Sequence, residues 1–307
     1  MAVFKLSCDS PAGCGTVTES RISLTMPGAP AEGKKHLYRF VHISDQHFSC
    51  FSPDDPEDVK ELAQSRAGFW KIQAGYMARQ TDGSEKKLVA AEALEVVGAR
   101  IRELAPDLIL STGDTADFAS VENYKRAKEL FDTFGAPYIA VPGNHDNMGE
   151  DGDSALVDAY MSFFKTAEDF TVHTFGEIDI IAVNDGFVSV TKEQVRKLAG
   201  QLDKGRPTVI ILHAPLLCES AKLPVLNFWN KGWMLGEEEQ SEENREFRRI
   251  VNEHRDTVLA VLAGHVHLTT GDGEAAESGE GFSSEEVLQY TAAPAMCGFL
   301  RVIDIFG

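Results

Sequence analysis

No stretch of the 307-residue sequence approaches the roughly 20 consecutive apolar residues that a membrane-spanning helix needs. Paired cysteines are missing too. Cys8, Cys14, Cys50, Cys218 and Cys297 are odd in number, scattered and without a Cys-x-x-Cys pair, which excludes a zinc knuckle and a disulfide framework and leaves reduced thiols. Met1 leads into Ala-Val-Phe-Lys-Leu-Ser-Cys, with neither the basic start nor the apolar stretch of a secretion signal. No basic patch offsets a formal net charge of −19, a balance that repels nucleic-acid backbones and anionic membranes. Internal repeats are absent. Together these absences predict a cytoplasmic protein with neither nucleic acid nor membrane as a partner, and they leave the oligomeric state open.

The rest is the composition of a compact globular protein, 43% hydrophobic and 25% charged, and the length suits one large domain. Apolar strand-like runs alternate with amphipathic helical stretches, the pattern of a layered α/β fold. Strands are predicted at 37–44, 107–112, 138–141, 178–183, 208–212, 258–263 and 300–305, and helices at 87–104, 121–134, 191–202 and 241–254. Residues 1–36, with strand-like runs at 3–7 and 21–25, read as an arm or an edge hairpin before a domain spanning 37–307. Segments 48–86 and 214–240 carry aromatic residues, among them Phe69, Trp70, Tyr76, Phe228, Trp229 and Trp233, and each begins just after a polar strand end. That placement predicts the walls or lid of a cleft, with plain packing as the competing account. Residues 271–280, rich in Gly and Glu, read as a solvated hairpin tip.

The chemistry is written at the strand ends. The first strand closes on Asp45-Gln46-His47, and on an extended backbone residues two apart face the same way, so Asp45 and His47 can share one ion. The next runs into Gly113-Asp114-Thr115-Ala116-Asp117, setting Asp114 at the carboxyl end of a strand, where α/β folds bind ligands and where it can bridge two ions. Then comes Gly143-Asn144-His145-Asp146, an amide, an imidazole and a carboxylate on one tight loop; a turn explains the first two residues but not the last two. His213 and the pair His265-Val266-His267 follow two further strands. Singly, most of these would be turn or structural residues. In series they place metal-ligand atoms at one edge of the fold. His36, His42, His173 and His254 fall outside the pattern and read as structural or surface residues.

These motifs, in this order, resemble those of the calcineurin-like metallophosphoesterases, and the likeness runs from about residue 37 to 305. The nearest branch is the one containing bacterial cyclic-nucleotide and glycerophosphodiester phosphodiesterases, many of which have His-His-Pro where this chain has His213-Ala214-Pro215. The resemblance implies a four-layer α/β/β/α sandwich. It also implies two metal ions, one held by Asp45, His47, Asp114 and His267, the other by Asp114, Asn144, His213 and His265. His145 would then be the imidazole facing the leaving group, Asp146 its orienting carboxylate, and Asp117 a support for the Asp114 loop. Oxygen and imidazole donors without thiolate suit Mn, Fe or Zn as divalent or trivalent ions. The implied reaction is phosphate-ester hydrolysis, with a diester the expected substrate and a hydroxide between the ions attacking phosphorus in line. A phosphomonoesterase on the same site, or a non-catalytic metal-dependent binding module, are the alternatives. Bound ions would make one cleft locally positive, so the acidic surface does not exclude a small phosphate substrate.

Overall fold

The computed structural model describes residues 2–5, 16–73, 77–79, 85–147, 169–186, 188–218, 233–269 and 287–307. Strands β1 (Ala2–Lys5), β2 (Thr16–Thr25), β3 (His36–Ile43), β6 (Leu108–Ser111), β7 (Tyr138–Ala140) and β13 (Phe299–Phe306) build one sheet in the order β1-β2-β13-β3-β6-β7. A second sheet is ordered β12-β11-β10-β9-β8, from β8 (Phe170–Phe175), β9 (Ile178–Val183), β10 (Thr208–Ile211), β11 (Val258–Ala263) and β12 (Gln289–Thr291). Within the first sheet β3, β6 and β7 run parallel, and in the second β9 to β12 do.

Both faces of each central strand are covered, which is why these strands are nearly all apolar rather than alternating with polar residues. In β6, Leu108 and Leu110 face the space between the sheets while Ile109 faces the helices α2 (Ala90–Leu104) and α3 (Val121–Asp132). In β10, Val209 and Ile211 meet that same inner space and Ile210 turns to α5 (Lys192–Leu202) and α6 (Glu242–Glu253). The result is the four-layer α/β/β/α sandwich expected from the motifs.

Predicted strands and helices agree with the structure apart from their ends. The helix predicted from residue 87 starts at Ala90, because Glu92 reaches back to the Val89 amide (3.1 Å) and closes a cap there. Segment 48–86 is not one long loop: it contains α1 (Glu57–Gln73) and a hairpin of β4 (Met77–Arg79) with β5 (Glu85–Lys87). Among the described side chains of α1 only Ala63 is buried, so the helix carries little apolar stripe to betray it. Strands β8 and β12 also escaped prediction. β8 lies at a sheet edge, and β12 is only three residues long. At the N-terminus β1 pairs antiparallel with β2, and β2 pairs parallel with β13. Tyr76, Phe228, Trp229 and the 271–280 stretch lie outside the described residues.

Candidate metal centre

The carboxyl ends of β3, β6, β7, β10 and β11 meet at one place, and their loops bring Asp45, His47, Asp114, Asn144, His213, His265 and His267 together. Donor atoms of Asp45, His47, Asp114 and His267 lie within 4.8 Å of one another, as do those of Asp114, His213 and His265. Asn144, which opens the short helix α4 (Asn144–Asn147), sets Oδ1 3.1 Å from His213 Nε2. Asp114 belongs to both groups.

The way each pair shares a side differs from the strand argument. Asp45, His47, Asp114, His265 and His267 all adopt left-handed backbone, with φ of 53, 47, 49, 65 and 54°. The strands have already ended, and left-handed residues at alternate positions carry the donors. Such φ values cost on the order of 1 kcal/mol or more for a side chain other than glycine and persist where surroundings over-determine them. For Asp45, His47 and Asp114 backbone cross-braces do so: Asp45 N donates to Gly113 O at 2.9 Å, His47 N to Asp114 O at 2.9 Å and Phe48 N to Thr115 O at 2.9 Å, while His265 N donates to Asp45 Oδ1 at 3.2 Å. The glycines of the motifs permit this approach. A Cβ on Gly113 (φ 93°) would sit 2.7 Å from Gly143 N and from His213 Nδ1, and one on Gly264 would collide with Ser44 and Asp45.

The hydrogen bonds around the cage fix which nitrogens face inward. His213 Nδ1 is 2.7 Å from the carbonyl of Thr112, which only accepts, so Nδ1 carries hydrogen and the neutral ring's lone pair is on Nε2. That lone pair faces other acceptors: Asn144 Oδ1 at 3.1 Å and Asp114 Oδ2 at 3.2 Å. His47 Nδ1 meets Asp117 Oδ1 at 3.0 Å, and its Nε2 faces His267 Nε2 at 3.2 Å. Asp45 Oδ2 and His265 Nε2 are buried without a hydrogen-bond partner among the described residues. Inward-facing acceptors with orphaned buried atoms among them suit a cation, so the residues present fit a metal cluster. Without metal, protons do part of that work. Burial disfavours the charged form of His213, yet the Asp114 carboxylate pushes it up to about 10. Burial, reinforced by charged His213, takes His265 down to about 3.

Buried carboxylates outside the cage brace it. Asp146 accepts from Gly143 N (2.9 Å), Thr115 N (3.0 Å) and Ala116 N (2.8 Å), tying the Asn144 loop to the Asp114 loop. Burial and the Asp114 charge raise its carboxyl to about 7 despite those amides. The carboxylate against the His145 ring is instead Asp117, whose carbonyl lies 2.8 Å and Oδ1 3.3 Å from His145 Nδ1. Orientation of His145, expected from Asp146, is thus supplied by Asp117, and support of the Asp114 loop, expected from Asp117, is supplied by Asp146. Burial lowers His145, but the Asp117 hydrogen bond and the Asp114 and Asp117 charges outweigh it and raise the ring to about 9. Asp185, absent from the predicted site, takes His213 N on Oδ1 (2.7 Å) and Ala214 N on Oδ2 (2.9 Å). Burial pushes it up to about 6, with His213 holding it back. Its setting, Asn184-Asp185-Gly186, has the look of an ordinary turn. The remaining histidines are as expected: His42 is buried against Thr112 Oγ1 (2.8 Å) and Arg301, and His36 pairs with Asp304.

A cavity of ≈ 290 Å³ opens over the cage, lined by Asp114, Asn144, His145, His265 and His267, by Arg66 and Phe69 of α1, and by Trp233. Both aromatic segments therefore reach its wall. Among the described residues no helix is long and apolar enough to cross a membrane.

The chain matches the family model of calcineurin-like phosphoesterases over residues 38–268. It is 26% identical over 170 residues to an Arcobacter nitrofigilis protein named as a probable glycerophosphodiester phosphodiesterase, a stretch covering 53% of this chain and only 57% of that relative. It is also 26% identical over 181 residues, covering 57% of this chain and 68% of the relative, to a Vesicomyosocius okutanii protein named as a probable cyclic nucleotide phosphodiesterase. A dimetal phosphatase from Danio rerio shares the fold, with a TM-score of 0.52 and 13% identity over 85% of this chain and 89% of that one. The family match takes in the strand-end motifs from Asp45 to His267 that form the cage, and the chain belongs to the calcineurin-like phosphoesterase family.

Proposed function

We propose that the protein is a dinuclear-metal phosphodiesterase acting on a small phosphate ester. The observation that carries this reading is the pair of donor groups sharing Asp114, with His145 on the same cavity and outside both. Asp45, His47, Asp114 and His267 would hold one ion, and Asp114, Asn144, His213 and His265 the other. Mn, Fe or Zn suits a set of carboxylate, amide and imidazole donors without thiolate. When bound, two such ions lower the pKa of water and neutralise phosphoryl oxygens.

The chain's own residues supply the rest. His145, held at Nδ1 by the carbonyl and carboxylate of Asp117, would give a proton to the departing alkoxide or stabilise its charge. Asp117 holds the His145 and His47 rings together through one carboxylate, while Asp146 and Asp185 hold the loops. Arg66 adds the positive charge that an acidic surface otherwise withholds from an anionic substrate. The diester preference follows the names of the relatives, both phosphodiesterases.

Metal-stripped protein reloaded with Mn should hydrolyse bis-p-nitrophenyl phosphate faster than p-nitrophenyl phosphate, and neither without metal. Cleavage of the monoester alone would move the protein to the phosphatase side, and two bound ions with no cleavage of either would favour a binding module.

A further inference from the structure

The wall of the cavity contains apolar surface that the metal chemistry does not use. Phe69 is 48% exposed and Trp233 40% exposed, the highest values among the exposed Phe and Trp side chains of the described residues, and both line the cavity over the cage. Large aromatic rings left in water forgo much of their burial energy, and they gather at sites that cover them with a ligand.

Each ring is held in place by the active-site structure itself. Trp233 has φ 53°, a strained value for a bulky residue. The chain after it is clamped: Leu235 N donates to Pro215 O at 2.7 Å, Leu217 N to Leu235 O at 2.8 Å, and Met234 is fully buried in a cluster with Val266 and Cys218. Val266 stands between His265 and His267, so the segment carrying Trp233 rests on the loop carrying two cage histidines. The indole lies 5.4 Å from the His265 ring, edge to face. Phe69 is three residues beyond Arg66 on α1 and so on the same face of the helix. Arg66 Nε is 3.6 Å from Asp117 Oδ2, which turns that face to the cage.

We infer that Phe69 and Trp233 form a ring-binding subsite beside the metal cage, selecting phosphate esters that carry a planar aromatic group such as a nucleobase or aryl ring. This rests on the hydrolase reading above. Stacking on a preplaced aromatic is worth about tenfold or more in affinity and tolerates differences in ring chemistry, because every such ring has a π face.

Binding and turnover separate the two ideas. With the full chain loaded with Mn, calorimetry should show phenylphosphonate binding about tenfold tighter than methylphosphonate. Phe69→Leu and Trp233→Leu should each reduce that ratio at least about threefold. Equal binding of the two phosphonates by the unsubstituted protein, a ratio kept in both variants, or parallel weakening of both ligands would each overturn the subsite. If the ratio behaves as expected while no phosphate ester is cleaved, the hydrolase reading fails and the subsite stands.

Discussion

The two sheets contribute unequally to the cage. The first sends Asp45, His47, Asp114 and Asn144 from the ends of β3, β6 and β7, and the second sends only the imidazoles of His213, His265 and His267 from β10 and β11. All the oxygen donors are therefore on one side. Clustered carboxylates repel one another and need a stiff frame, and the first sheet supplies it through backbone bonds between the Asp45 and Asp114 loops and the Asp146 clasp on three amides. Imidazoles that would meet an ion through a neutral lone pair need less. On the second sheet Asp185 holds two amides, Gly264 N donates to His213 O at 2.9 Å and Leu235 N to Pro215 O at 2.7 Å. The first sheet thus sets charge and position, and the second would complete the coordination of bound ions.

The sharpest way to break this comparison is at the shared donor. Asp114→Asn should remove both ions and lower kcat/KM by about a thousandfold or more, whereas His265→Ala, on the imidazole side, should leave one ion in place. Metal content by elemental analysis tests it, and two ions retained in Asp114→Asn would end the division of labour. Next in size is His145→Ala, a first-sheet residue outside both donor groups. We expect kcat to fall by about 100- to 1000-fold with metal content unchanged. Loss of metal would make His145 a ligand and undo its assignment.

How much of this was legible in the sequence depends on what each residue touches. The cage donors and His145 were readable because each ends an apolar strand, and a strand end is a place that sequence periodicity marks. The bracing carboxylates were not. Asp117 and Asp146 each follow a ligand by a few residues and look interchangeable in one dimension; only the folded loops bring Asp117 to the His145 ring and Asp146 to the amides of Thr115 and Ala116. Asp185 is hidden more deeply, since it sits in an ordinary-looking turn beside no cage donor in sequence, and its partners His213 and Ala214 lie 28 and 29 residues away. The left-handed backbone of Asp45 and His47 was invisible for a related reason: it is braced by a loop distant in sequence, through Asp45 N to Gly113 O and His47 N to Asp114 O. Helix α1 was missed because, among its described side chains, only Ala63 is buried.

The clasps give a finer test of the same asymmetry. Asp146→Ala strands three buried amides and Asp185→Ala two, and each stranded amide costs on the order of 1 kcal/mol after water enters. Chemical denaturation of metal-free protein should therefore show a loss of about 3 kcal/mol for Asp146→Ala and about 2 kcal/mol for Asp185→Ala. Equal losses would mean that the two sheets hold their loops equally firmly.

The smallest effect belongs to the wall rather than the cage. Arg66 on α1 stands 3.6 Å from Asp117 Oδ2 and is the one Lys or Arg among the described residues lining the cavity. Its side chain is 27% exposed while that of Asp117 is fully buried, so solvent screens only one end of the pair and the loss of Arg66 should cost a modest amount of stability. Its charge acts on the anion that enters instead. Arg66→Ala should raise KM for an anionic diester by about three- to tenfold, leave kcat within about twofold, and make KM less sensitive to added salt, because a screened steering charge is what has been removed. A fall in kcat as large as that of His145→Ala would show that Arg66 sets Asp117 and, through it, the imidazole, and would move α1 from the wall into the first-sheet frame.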